Sequence, residues 1–206
     1  MHNYDQFVAS FKAARRAGFQ NINVDIMSGL PGQTIHTYVD TISRVLDFSP
    51  EHISAYSLQI EEGTPFANDP QILEDIPPEM IDRRMYEITK KLLAAGGYER
   101  YEFSNYAKPG YECKHNMVYW TGGEYIGFGL GASSYFKGKR FSNMRDIFSY
   151  IDLMEETTEK FVTYDDMELL FNETTAKLRQ SVTTMYVDSR MEEFMFLGLR
   201  MMCGVR

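Results

Sequence analysis

The stretch Asn21-Ile22-Asn23-Val24-Asp25-Ile26-Met27-Ser28-Gly29-Leu30-Pro31-Gly32-Gln33-Thr34 decides the fold. Ile22, Val24 and Ile26 alternate with Asn23, Asp25 and Met27, the two-residue period of a strand with one apolar and one polar face. Ser28 to Gln33 is a loop rich in turn residues. Thr34 is placed to cap a helix carrying Val39, Ile42, Val45 and Leu46. Ser49-Pro50 closes that helix, and His52 to Ile60 reads as a second strand. Strand, helix, strand predicts a right-handed βαβ unit in a parallel sheet. The fold class is α/β.

Upstream, Phe7, Phe11 and Ala14 recur at helical spacing between Tyr4 and Ala17. Asn3 with Gln6 makes a capping box, and Gly18 is the stop. Downstream, a third helix opens at Pro77-Pro78, bears the stripe Ile81, Met85, Ile88, Leu92, and ends at Gly96-Gly97. From Tyr98 the pattern changes. Tyr101, Phe103 and Asn105 alternate, and Tyr125 to Phe136 is glycine-spaced with aromatic ends. Lys137-Gly138 predicts a hairpin turn into Arg140-Phe141. Asp146 to Met154 reads as helix and the acidic run Glu155 to Glu173 as a solvated face or linker. Glu192 to Met201 reads as an apolar helix, whose place at the chain end implies a protein that continues.

The charge balance excludes some functions. The formal net charge is −8 with no long Lys/Arg stretch, which argues against nucleic-acid binding. No apolar run approaches the roughly 18–20 residues of a spanning helix. Met1-His2-Asn3-Tyr4 lacks the regions of a signal peptide. Two distant cysteines, Cys113 and Cys203, give neither a disulfide framework nor a CxxC, so a reducing cytoplasm is the expected setting. The abundance of Tyr, Phe and Met fills a core and also suits a pocket for a large flat ligand.

Three places carry chemistry. Asp25 stands near the carboxyl end of its strand, where parallel sheets place their sites. It can accept hydrogen bonds from a ribose diol, or it can cap the amides of the Gly29–Gln33 loop. Gln59, on the face of Ile53, Ala55 and Ser57, can bond an adenine or amino-acid group of the same ligand, or be a surface amide at a strand end. The loop is no P-loop, because no GKS/T follows it. His115, in Cys113-Lys114-His115-Asn116-Met117-Val118-Tyr119-Trp120, can be an axial ligand to heme iron, with aromatic rings nearby to stack on a porphyrin. A zinc site would need two further ligands, and none is suitably spaced. A histidine hydrogen-bonded within a loop is the third reading.

Several segments, in order along the chain, resemble one family. Asn23 to Thr34 is similar to the NxDLIFGLPGQT stretch of radical-SAM coproporphyrinogen III oxidase-like proteins. Glu51 to Leu58, with Glu61-Glu62-Gly63-Thr64-Pro65-Phe66, resembles their EHISAYSLIIEEGTPF segment. Tyr101 to Gly110 resembles YEISNFAKPG, and His115 to Trp120 fits HNxxYW, which marks the heme-chaperone branch rather than the true oxidase. Gly127 to Ala132 and Glu193 to Arg200 complete the resemblance.

The resemblance implies a partial (β/α)6 radical-SAM barrel followed by a smaller α+β domain. Residues 1–97 would be the second half of the barrel and 98–206 an incomplete C-terminal region. It implies S-adenosylmethionine (SAM) bound by Asp25 and, at a second position, Gln59. It implies heme bound at His115, Asn116, Tyr119 and Trp120, with His115 on the iron. The 4Fe-4S cluster would be ligated by a CxxxCxxC motif preceding this chain, so this stretch alone is expected not to cleave SAM. The implied function is cytoplasmic heme delivery to acceptor proteins; the alternative is an oxygen-independent coproporphyrinogen III oxidase. Ser133 stands where the family often has a histidine, so any role for that histidine is lost. Missing barrel strands would leave a sheet edge that favours pairing with a second copy.

Overall fold

The protein is described by a computed structural model covering residues 3–158 and 179–204. It divides into two compact units, Met1–Cys113 with Met201–Cys203, and Lys114–Arg200 with Gly204–Arg206.

The first unit contains α1 (Tyr4–Arg16), β1 (Asn23–Ser28), α2 (Ile35–Phe48), β2 (His52–Ser57), α3 (Pro70–Glu74), α4 (Glu79–Ala95), β3 (Glu99–Arg100) and β4 (Asn105–Ala107). The expected caps are present. Asn3 and Gln6 bond each other's backbone at the start of α1, and Thr34 and Thr37 do the same for α2. Ser49 ends α2 in the left-handed region at φ 50° and turns the chain into Pro50. Each cap satisfies backbone donors that the first helical turn leaves free.

β1 and β2 pair in parallel, as the βαβ reading requires, with Asn23 opposite His52, Asp25 opposite Ser54 and Ser28 opposite Ser57. Register partners share a face, so this pairing makes two surfaces. Val24, Ile26 and Ile53 pack with Tyr38, Ile42 and Val45 of α2 and Met85 and Leu93 of α4. Ile42, Ile53, Met85 and Leu93 are fully buried, each contributing about 1.5–3 kcal/mol. The other surface carries Asn23, Asp25, Met27, His52, Ser54 and Tyr56. Arg15 joins the end of α1 to the start of β2 through two bonds to Glu51, 2.8 and 2.7 Å, and Ile22 N–H donates to the same carboxylate at 3.0 Å.

Two expectations need correction here. β2 ends at Ser57, not Ile60. Leu58 N–H still reaches the Ser28 carbonyl at 2.8 Å, but β1 stops there because Gly29 turns at φ 74°, and nothing remains for Gln59 to pair with. Residues 98–113 also belong to the first unit, which divides from the second between Cys113 and Lys114 rather than at Gly97. β4 takes the free edge of β2 antiparallel and β3 pairs outside it, giving the order β1-β2-β4-β3. Tyr101 to Asn105 is therefore no continuous strand. The chain reverses there and tucks Glu102 inside, where it bridges to Met201.

The second unit contains α5 (Lys114–Trp120), β5 (Ser133–Phe136), β6 (Lys139–Asn143), α6 (Ile147–Thr158), β7 (Arg179–Thr184) and α7 (Val187–Gly198). The predicted hairpin joins β5 to β6. Lys137 and Gly138 both take positive φ, 47° and 72°, the sign pattern of a tight two-residue turn. β7 extends the sheet beside β6. The terminal helix begins at Val187, earlier than Glu192, and exposes Met191, Phe194, Met195 and Phe196. From residue 159 on, the acidic segment lies outside the described residues.

Candidate functional site

On the polar surface of the first unit, Asp25 is held by a chain of hydrogen bonds. Asn23 Nδ2 donates to Asp25 Oδ1 at 2.6 Å. Asn23 Oδ1 accepts from Ser54 Oγ at 3.1 Å and faces His52 Nδ1 at 2.6 Å. His52 Nε2 lies 2.8 Å from the Tyr101 hydroxyl, which accepts from Cys113 N–H at 3.3 Å. Chemistry fixes the directions. A flipped Asn23 amide would set its oxygen against the acceptor-only Asp25 carboxylate, whereas the Ser54 hydroxyl can rotate to suit either end. With Oδ1 toward His52, Nδ1 must carry the proton, and Nε2 must accept from Tyr101. Burial lowers the His52 pKa, against the opposing charges of Asp25, Glu102 and Glu112, so the ring is neutral.

Asp25 itself is exposed and borders a cleft of about 480 Å³ with Met27, Leu30, Gln33 and Tyr4. It accepts no loop amide. Gln33 secures the Gly29–Gln33 loop instead, donating to the Met27 carbonyl at 3.1 Å and accepting from Leu30 N–H at 3.3 Å. The Asp25 carboxylate thus keeps oxygen lone pairs for an outside donor.

Gln59 is not brought to Asp25. It lines a separate hollow of about 290 Å³ with Ser28, Ser57, Asp82 and Tyr86, on the helix-covered side of the sheet. There Asp82 accepts from Ser28 at 2.8 Å and Ser57 at 2.6 Å.

In the second unit, α5 places His115 and Tyr119 one turn apart, with His115 Nε2 2.9 Å from the Tyr119 hydroxyl. Tyr119 packs edge-on against Tyr125 at 4.5 Å, and Tyr125 pairs with Tyr135 through two backbone bonds, 2.8 and 2.9 Å. Tyr119, Trp120, Tyr125 and Tyr135 line an open, mainly apolar cleft of about 1010 Å³, together with Phe194 and Leu197 of α7. Arg140 and Arg190 stand at the same cleft; Arg140 is ion-paired to Glu193 at 2.6 Å. The Arg200 guanidinium lies 4.3 Å over the Trp120 ring. His115 is exposed and, like Asn116, does not line the cleft; it reaches it only through Tyr119.

Sequence reading missed His52, Tyr101, Arg140 and Arg190. The available signal for His52 was parity: Asn23, Asp25, His52 and Ser54 are polar at matching positions of two strands that pair in register. Among the described residues, no group of three His, Cys, Asp or Glu could hold a metal ion, and Cys113 and Cys203 form no cluster-ligand set.

No protein-family model matches the chain. It is 40% identical over 206 residues to "Heme chaperone HemW" of Bacillus subtilis, covering 100% of this chain and 50% of that protein. It is 36% identical over 205 residues to the protein of that name from Lactococcus lactis, covering 99% of this chain and 49% of the relative. The Escherichia coli heme chaperone HemW matches at 38% over 135 residues, 64% of this chain and 34% of that protein. The chain thus spans about half the length of the first two relatives. Its fold is similar to that of the radical SAM enzyme coproporphyrinogen III oxidase (HemN) from Escherichia coli. The TM-score is 0.71 at 19% identity, over 98% of this chain and 45% of that one. By sequence, the chain belongs to the HemW family, and its likeness to HemN is one of fold.

Proposed function

We propose that the complete protein is a cytoplasmic radical-SAM heme chaperone, which binds heme and delivers it to acceptor proteins. The observation that carries this reading is the aromatic cleft of about 1010 Å³ in the second unit, bearing Tyr119 and Trp120 of the HNxxYW motif. Its size is that of a cofactor site, its walls are flat aromatic and aliphatic side chains, and two arginines border it. A tetrapyrrole needs that combination: apolar faces for the ring and cations for its propionates. His115, with Asn116 beside it on α5, would supply the iron ligand, although neither lines the cleft, so the ring would have to turn toward it. Ligation through Nε2 requires the Tyr119 hydroxyl to release that nitrogen.

SAM would be held at the polar surface of β1, with Asp25 accepting from the ribose hydroxyls. Gln59 lies in a separate hollow, which counts against its sharing that ligand. The iron–sulfur cluster would be ligated by residues outside this chain, and cluster and SAM together would supply one-electron chemistry. In this chain Asp25 would orient the ribose through its hydroxyls. The 19% likeness to the oxidase is one of fold alone and carries no activity.

The test is a heme titration of the complete protein with Arg190→Ala, using heme and heme dimethyl ester. If arginine pairs with a propionate, the variant weakens heme binding and leaves the ester unaffected. Equal affinity of variant and wild type for both ligands would contradict the cleft as the heme site.

A further inference from the structure

The hydrogen-bond chain behind Asp25 passes through a histidine that neither bonds the exposed carboxylate nor lines the cleft that Asp25 borders. His52 is only 4% exposed, and both of its ring nitrogens are engaged. Asn23 is the hinge of the arrangement. Its amide can aim Nδ2 at Asp25 only while Oδ1 is occupied by donors on the far side, and those donors are His52 Nδ1–H and Ser54 Oγ–H. A rotated amide would set its oxygen against the carboxylate and repel it. The Tyr101 hydroxyl, 2.8 Å from Nε2, can donate to that nitrogen and so is compatible with the proton on Nδ1.

We propose that His52 is a positioning residue for Asp25: through Asn23 it holds one carboxylate oxygen and leaves the other aimed at the hydroxyls of a bound adenosyl ligand. This rests on the reading of Asp25 as a ribose acceptor, and goes beyond it by assigning His52, Asn23 and Tyr101 a shared role. The role is specific to one nitrogen. An asparagine at position 52 places its NH2 where Nδ1 stands and can still donate to Asn23. A glutamine places its amide where Nε2 stands and keeps the Tyr101 contact while losing that donor.

The experiment uses the complete protein, with SAM affinity measured by calorimetry for wild type, Asp25→Asn, His52→Asn and His52→Gln. Thermal unfolding and His52 side-chain 15N NMR accompany it. The expected tautomer is Nδ1–H. The expected affinities are near wild type for His52→Asn, and weaker on the order of tenfold for His52→Gln, equivalent to about 1.4 kcal/mol. Asp25→Asn should lose at least as much. An Nε2–H tautomer, or equal affinities for folded His52→Asn and His52→Gln, would overturn the inference. If Asp25→Asn binds SAM as wild type does, the ribose reading itself fails. If only Asp25→Asn weakens binding, that reading stands and the role of His52 falls.

Discussion

The Ser57 hydroxyl donates to Asp82 Oδ2 at 2.6 Å, and through the other oxygen of that carboxylate, 2.8 Å from Ser28, the ends of both parallel strands are fastened to the first turn of α4. Gly29 passes so close that an added Cβ would lie 3.2 Å from Asp82 Oδ1, in addition to the strain of its positive φ. Asp82→Ala removes the shared acceptor and leaves two hydroxyls to find others, so a loss of about 1–3 kcal/mol is expected from urea unfolding. Asp82→Asn keeps one acceptor and should cost less. A variant as stable as wild type would show that this fastening contributes nothing.

The neutral, buried His52 gives stability a pH dependence. Its folded-state pKa lies below the ordinary 6.5, chiefly through burial, so the unfolded chain takes up the proton first. The contribution is complete above pH 6.5 and is lost as the pH falls below it toward the folded value. The unfolding midpoint should fall between pH 7.5 and 5.5, and His52→Asn should flatten that slope. A slope unchanged in the variant would assign the dependence to other groups.

Met85 and Phe128 test the core. Met85 has no exposed surface and lies among Tyr38, Ile42 and Leu93, whereas Phe128 is 90% exposed. Met85→Ala should cost about 2–5 kcal/mol by loss of contacts and the cavity left behind. Phe128→Ser should change stability by less than about 0.5 kcal/mol. Comparable losses for both, read from denaturant midpoints, would place the core elsewhere.

The βαβ unit was legible because its signals are local: alternation in Asn23–Ser28, the Thr34 cap, and the helical spacing of Ile42 and Val45. The position of Gln59 was not, because a strand ends where its partner ends, and Gly29 stops β1 first. β3 and β4 were obscure for a related reason. Strands of two and three residues carry no usable period, and only the open edge of β2 explains their pairing. Asp25 was visible as a polar residue on a strand face, but the supports behind it depend on register. His115 was legible through the resemblance alone, and its bond to Tyr119 follows from a helix that the sequence pattern did not announce.

The most direct test of heme binding at the HNxxYW segment is the Soret spectrum of the complete protein with His115→Ala, alongside SAM affinity. If His115 ligates the iron, heme occupancy falls and the Soret band shifts, while SAM binding at β1 is unchanged. A folded variant with wild-type occupancy and an unaltered Soret band would contradict the ligand assignment.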